Sequence, residues 1–375
     1  MDVDEILDSL NPCHAPWTIS QVSRRWRSIT LATSRLWSNI ALDFPRYTYI
    51  GISNRMCMFK LSLHLKRARD SDLSISLYAD SDGFKGTLGL LEVSTCQWRN
   101  LNIYVFPKSI KALAGITFPL LRRLQVRSEN IEYTSVSSAA EKTVLAAPEL
   151  RIFHSVFNAM SCSMLDLPWT RLETFSCSDA SSPHCIRVLR QLSSAKTLNL
   201  RVHKRNALNL AEGDIVMPSV ERLTLEQRKC CERSMARLLD ALILPSITFL
   251  SLTFPKASKS HFPTTFDAST LTSLSIECHL SHAHNATLFF GFLRSTPNIT
   301  VFRLSSSNIP DEVLRDLTLT EGKDFILPFL RVLEIAPGVP RCDMKLFIGM
   351  LESRCNNGDN IRSLPKGQRV MALGC

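Results

Sequence analysis

The sequence predicts an α/β solenoid, with parallel strands on a concave face and helices on a convex face, preceded by a small all-α module. Three observations predict it. A short apolar phrase returns along most of the chain, a proline often stands at a fixed offset before it, and an N-terminal stretch has helical rather than alternating apolar spacing.

The phrase is clearest at Leu244 to Leu252, LPSITFLSL. Ile247, Leu250 and Leu252 follow an h-x-x-h-x-h rhythm (h, apolar), which places the last two on one face of a short strand and Ser251 on the other. It returns as LRRLQV from Leu121, LRIFHS from Leu150, LETFSC from Leu172, AKTLNL from Ala195, VERLTL from Val220, LTSLSI from Leu271, ITVFRL from Ile299 and LRVLEI from Leu330. WRNLNI at Trp98 is an earlier member. The nine starts from 121 to 330 lie 22 to 31 residues apart, close to the roughly 20 to 29 of a leucine-rich repeat. Pro119, Pro148, Pro218, Pro245, Pro297 and Pro328 each stand two residues before the first apolar position, so a turn of fixed φ introduces the strand.

Taken in order, residues 1–45 differ from the rest. Ile19, Val22, Trp26 and Ile29 recur at helical spacing, with Arg24, Arg25 and Arg27 on the other faces. Thr33 and Ser34 can cap a second short turn carrying Leu36, Trp37 and Ile40. Two such helices are too small to be stable alone and are expected to lean on the first turn of the solenoid.

The segment from Ala15, APWTISQVSRRWRSITLATSRLW, resembles the F-box region of the large fungal, mushroom-type F-box families, whose phrase runs (A/G)PW-x-(L/I)-x-x-V-C-x-x-W-R-x-I-A-L-x-T-P-x-L-W. Pro16, Trp17, Val22, Trp26, Arg27, Ile29, Leu31, Thr33, Leu36 and Trp37 match, while Ser23 replaces Cys and Ser34 replaces Pro. The resemblance implies that this module docks on the adaptor subunit of a cullin-type (SCF-like) ubiquitin ligase, while the repeats hold a protein substrate. The adaptor-docking residues it implies are Ile6, Leu7, Pro16, Trp17, Val22, Trp26, Ile29, Leu36 and Trp37. The family's opening L-P-x-E-(L/I) helix is here reduced to VDEILDSL, Val3 to Leu10, without the LP segment. Three expectations stand open: a reading frame that begins upstream, a shortened docking helix, or docking that has been lost.

Residues 46–355 form the expected solenoid and 356–375 a C-terminal tail. Met58 to Ala68 is helical in pattern, and Leu73, Ile75 and Leu77 alternate as a strand, an irregular first repeat. Gly83, Gly86 and Gly89 match no phosphate-binding loop and read as a turn. Helices are expected at Ser137 to Ala147, His184 to Leu192, Glu232 to Leu244, Ala286 to Ser295, Asp311 to Leu317 and Asp343 to Cys355. Alternation of strand and helix at this interval requires parallel strands joined by crossovers. Thr253 to Ala268, with Pro255 and Pro263, reads as a flexible insertion.

Composition excludes several classes. No apolar run reaches the roughly 18 residues of a membrane span, and the acidic start MDVDEILDSL does not resemble a secretory signal. The twelve cysteines are scattered without a C-x-x-C, so they are expected as reduced thiols of an intracellular, cytoplasmic or nuclear protein. The net charge of +10 is spread over short runs that no aromatic residues interleave, which makes a nucleic-acid partner the weaker reading. Sequons at Asn285 and Asn298 are read as chance matches.

No catalytic motif occurs, so neither an enzyme nor a cofactor is expected. Cys278, His279, His282 and His284 form the one dense set of metal-ligand types, but their place after a strand reads as an exposed turn rather than a zinc site. Substrate contacts are instead expected from the polar residues between the strand leucines: Gln125, Arg127, Asn199, Arg201, Thr224, Glu226, Ser251, Thr253, Ser275, Glu277 and Arg303. His154, Ser176, Ser305 and Glu334 belong to the same set. Such a wettable face of mixed charge suits recognition of a protein surface. A scaffold that no longer docks on the adaptor is the alternative.

Overall fold

The computed structural model describes residues 9–11, 13–43, 54–79, 88–89, 91–105, 107–127, 143–156, 165–180, 182–202, 213–228, 234–255, 261–263, 265–278, 283–306, 309–320, 325–335 and 343–356. Ile6, Leu7, Gly83, Gly86, His279, His282 and the tail beyond 356 lie outside them. The chain divides into two units, Met1–Cys177 and Ser178–Cys375. Among the described residues they hold eight helices and the twelve strands of the large parallel sheet.

The first unit opens with helices α1 (Trp17–Val22) and α2 (Arg24–Ala32) and a 3-10 turn at Ser34–Trp37. The expected single stripe is thus broken at Ser23, whose extended backbone ends α1 and whose hydroxyl accepts from the Trp26 amide as the N-cap of α2. Strand β1 (Asn39–Asp43) follows inside the segment expected to be all-helical, because Ile40 and Leu42 alternate toward the core. Next come α3 (Asn54–Ala68), β2 (Leu73–Ala79), β3 (Trp98–Val105), β4 (Arg123–Arg127), β5 (Thr143–Val144), β6 (Ile152–Val156), β7 (Leu165–Asp166) and β8 (Thr174–Cys177). Strands β1, β2, β3, β4, β6 and β8 pair in that order, all parallel.

The second unit contains β9 (Thr197–Val202), β10 (Ile215–Val216), β11 (Arg222–Gln227), β12 (Leu242–Ile243), β13 (Phe249–Thr253), β14 (Ser273–Glu277), β15 (Val301–Ser305) and β16 (Val332–Ile335). Helices α4 (Pro183–Leu189), α5 (Ser234–Asp240), α6 (Ala283–Arg294), α7 (Asp311–Leu317) and α8 (Met344–Asn356) are interspersed. Strands β9, β11, β13, β14, β15 and β16 pair in parallel with one register: Leu198, Leu223, Leu250, Leu274, Phe302 and Leu333 align as one buried column. Leu200, Leu225, Leu252, Ile276 and Leu304 align as a second.

A hydrogen-bonded turn, with proline in it at five entries, leads into the rungs. The amides of Leu121, Leu150, Val220, Ile247 and Leu330 donate to the carbonyls of Phe118, Ala147, Met217, Leu244 and Leu327, so each intervening proline occupies the second position of a hydrogen-bonded turn. The backbone then zips to the previous rung. The Glu221 carbonyl accepts from the amides of Thr248 and Phe249, and the Thr248 carbonyl from those of Thr272 and Ser273.

Several expected helices are corrected. The described part of Ser137–Ala147 is extended: Thr143, Leu145 and Ala147 are buried while Val144 and Ala146 are exposed, a period of two that pairs β5 with β7. The described part of Glu232–Leu244 is helical over α5 and then forms β12, paired with β10. These short strands precede the prolines, so the true unit of repetition is h-x-h-P followed by the main strand. The flexible insertion is also corrected over its described part. Phe254 and Phe262 lie 5.1 Å apart, and Phe262 stacks on Phe292 of α6 at 5.7 Å. At the end of α8 the buried Arg354 guanidinium donates to the carbonyls of Leu317, Ile326 and Leu327, and burial lowers its pKa to about 10.

The buried columns fix an expected contrast. Leu250→Ala should lower stability in urea denaturation by ~2–5 kcal/mol, whereas Ser251→Ala should stay within ~0.5 kcal/mol. Equal losses at both positions would contradict the register.

Candidate interaction surfaces

The N-terminal helices divide Pro16, Trp17, Val22, Trp26, Ile29, Leu36 and Trp37 into two groups. Trp37 is fully buried: its indole Nε1 donates to the Thr30 carbonyl at 2.9 Å, and it meets Trp17 edge-on at 5.0 Å. Trp17 donates to the Ser9 carbonyl at 2.7 Å, and Pro16 beside it is buried. Helix α3 supplies the surface on which this pair packs. The His64 ring lies 5.1 Å from Trp37, and the Arg67 guanidinium sits over both indoles at 4.6 and 4.3 Å.

The other matched residues are not core. Val22 is 67% exposed, Trp26 50%, Ile29 45% and Leu36 42%, so the apolar stripe of α1 and α2 faces solvent instead of the chain's own core. Its backbone is anchored from behind, since Thr30 Oγ1 donates to the Trp26 carbonyl and Arg27 Nε to the Ser20 carbonyl.

The second candidate surface is the open face of the strands. Asn199, Thr224, Ser251, Ser275, Arg303 and Glu334 align in one row of the second unit, and Arg201, Glu226, Thr253, Glu277 and Ser305 in the next. All are half-buried or exposed. Ion pairs close much of this face upon itself. Arg201 Nε bonds Glu226 at 2.5 Å, Arg228 lies 3.9 Å from the same carboxylate, and Arg303 bonds Glu334, which raises the Arg303 pKa.

In the first unit the open face carries Gln125 and Arg127 of β4, His154 of β6 and Ser176 of β8. Sequence reading missed its aromatic part. Tyr78 and Tyr104 are register partners on β2 and β3, with ring centroids 4.4 Å apart. Outward alternation in LSISLYA and WRNLNIYV was the available signal.

Of the CHLSHAH segment, His279 and His282 lie outside the described residues. Among the described residues no group of three such side chains could hold a metal ion. Cys278 itself is a core thiol, pushed up to about 12 by burial and by the Glu277 charge. The Asn298 side chain donates to the Ser269 carbonyl at 2.6 Å. No helix among the described residues is long and apolar enough to cross a membrane.

His64 gives the first unit a pH dependence. It is completely buried, with no hydrogen bond of good geometry to either ring nitrogen; burial, then the Arg67 charge, lowers its pKa from 6.5 to about 4. Between those values the unfolded chain takes the proton and the folded chain does not, so stability is full above pH 6.5 and declines as pH falls toward 4. His64→Phe should flatten that part of the curve by on the order of 3 kcal/mol, read from urea melts by tryptophan fluorescence. A curve with the same slope as wild type would contradict it. No protein-family model matches the sequence, and no curated protein matches it.

Proposed function

We propose that this protein is the target-recognition subunit of a cullin-type ubiquitin ligase. Its F-box-like module would dock on the adaptor subunit, and its leucine-rich-repeat-like solenoid would present a polar strand face to a protein target. The observation that carries the reading is the division of one motif into two roles. Trp17 and Trp37 hold the module to α3, while Val22, Trp26, Ile29 and Leu36 remain exposed on short helices.

Exposed apolar side chains at successive helical turns gain about 25 cal/mol for each Å² that a partner removes from water. A tryptophan at the centre of such a patch is the type of anchor that dominates protein interfaces. The role is recognition, since the open strand face offers hydrogen-bonding and charged side chains of mixed sign.

Binding of the full chain to the purified adaptor subunit tests this. Wild type should associate, and Trp26→Ala should weaken association about 30-fold or more, as loss of an anchor worth ~2 kcal/mol requires. Thermal unfolding should be unchanged, because the side chain is half exposed. No association even at high concentration, or a Trp26→Ala variant that binds like wild type, would contradict the proposal.

A further inference from the structure

The two units differ in how their open faces dispose of charge. In the second unit, Arg201 and Arg303 are each neutralised by a glutamate on the neighbouring strand, and Arg222 lies over the Phe249 ring. In the first unit, Arg123 and Arg127 stand exposed along β4, and among the described residues no carboxylate pairs with either. Arg127 instead donates through Nε and Nη2 to the Gln125 side-chain oxygen at 2.7 and 2.8 Å, a neutral partner. The acid of the same row, Asp43, stands three strands away from Arg127.

Arg127 is the register partner of Tyr104, which is the register partner of Tyr78. The face therefore sets Arg127 beside an aromatic pair whose ring planes meet at 32°, with Arg123 four residues back along the same strand, opposite Asn100. His154, next to Arg123, is held below its usual pKa by burial and by that arginine, so the arginines carry the positive charge. Tyrosine and arginine are the residue types over-represented among binding hot spots. A guanidinium fork fits a carboxylate with two parallel hydrogen bonds.

We propose that the first unit's open face is the target site and that its ligand is an acidic protein segment. Carboxylates of the segment meet Arg123 and Arg127, and an apolar side chain lies against Tyr78 and Tyr104. This rests on the reading of the strand face as a recognition surface and is independent of adaptor docking. A nucleic acid fits less well. Backbone binding needs many cations along a track, whereas this face offers two beside an acidic row end, and the tyrosine rings occupy each other rather than standing apart as platforms for successive bases.

Fluorescence anisotropy on the full chain tests it, with three labelled probes: an extended peptide of glutamate, phenylalanine and glycine, the same peptide with lysine for glutamate, and poly(U) RNA. The acidic peptide should bind, and the lysine peptide should not. Arg123→Gln with Arg127→Gln should weaken binding about tenfold or more, Tyr78→Ala should weaken it too, and Arg237→Gln, exposed on α5 away from the strand face, should leave it unchanged. Absence of acidic-peptide binding, binding indifferent to the β4 arginines, or tighter binding of the RNA through those arginines would each overturn the proposal. Adaptor association measured on the same β4 variants should persist, so failure of this site and failure of the ligase role give different results.

Discussion

Strand register carries this fold. An extended chain alternates its side chains between two faces, so a strand that buries Leu250 and Leu252 must turn Ser251 to the other side. Parallel pairing in constant register then aligns like with like across the rungs, leucine on leucine beneath and polar on polar above. A slip of one residue would bury Arg201 and Glu226 and put Leu200 and Leu225 in water. The turn before the strand, with proline in it at five entries, and the shared carbonyls of Glu221 and Thr248 restore the phase, so connections of different length return the chain to the same register.

Much of this was legible because the signal is local. The h-x-x-h-x-h phrase and its proline are read within one strand, and the main strands from Arg123 onward fall where the phrase lies. The helix at Asp311–Leu317 was legible for the same reason, with Pro310 before it and two acids in its first turn. The short strands were not. TVLAAP carries alanines that favour helix, yet its alternation of buried and exposed residues shows that pairing with Leu165–Asp166 decides its conformation. Likewise Phe254 and Phe262 sit in a segment rich in Ser, Lys and Pro, and their burial depends on Phe292, some thirty residues further along the chain.

The candidate surfaces were legible in membership and illegible in state. The matched motif named Trp26 and Trp37 together, but one indole is half exposed and the other completely buried, because only the second faces His64 and Arg67 of α3. The strand-face arginines behave the same way. Whether a cation is spent on an internal ion pair depends on the residue one rung away: Glu226 stands beside Arg201 and Glu334 beside Arg303, while Tyr104 stands beside Arg127. The charge available to a partner is thus a property of the register and not of any single repeat.

A double-mutant cycle in urea denaturation addresses the stacked register most directly. Leu250 and Leu274 are register partners on adjacent strands, whereas Leu250 and Leu333 are separated by two intervening strands. The pair Leu250→Ala and Leu274→Ala should show a coupling of ~0.5–3 kcal/mol, and the pair Leu250→Ala and Leu333→Ala should be additive within ~0.5 kcal/mol. Additivity in the first pair, or equal coupling in both, would contradict a core built from leucines stacked rung upon rung.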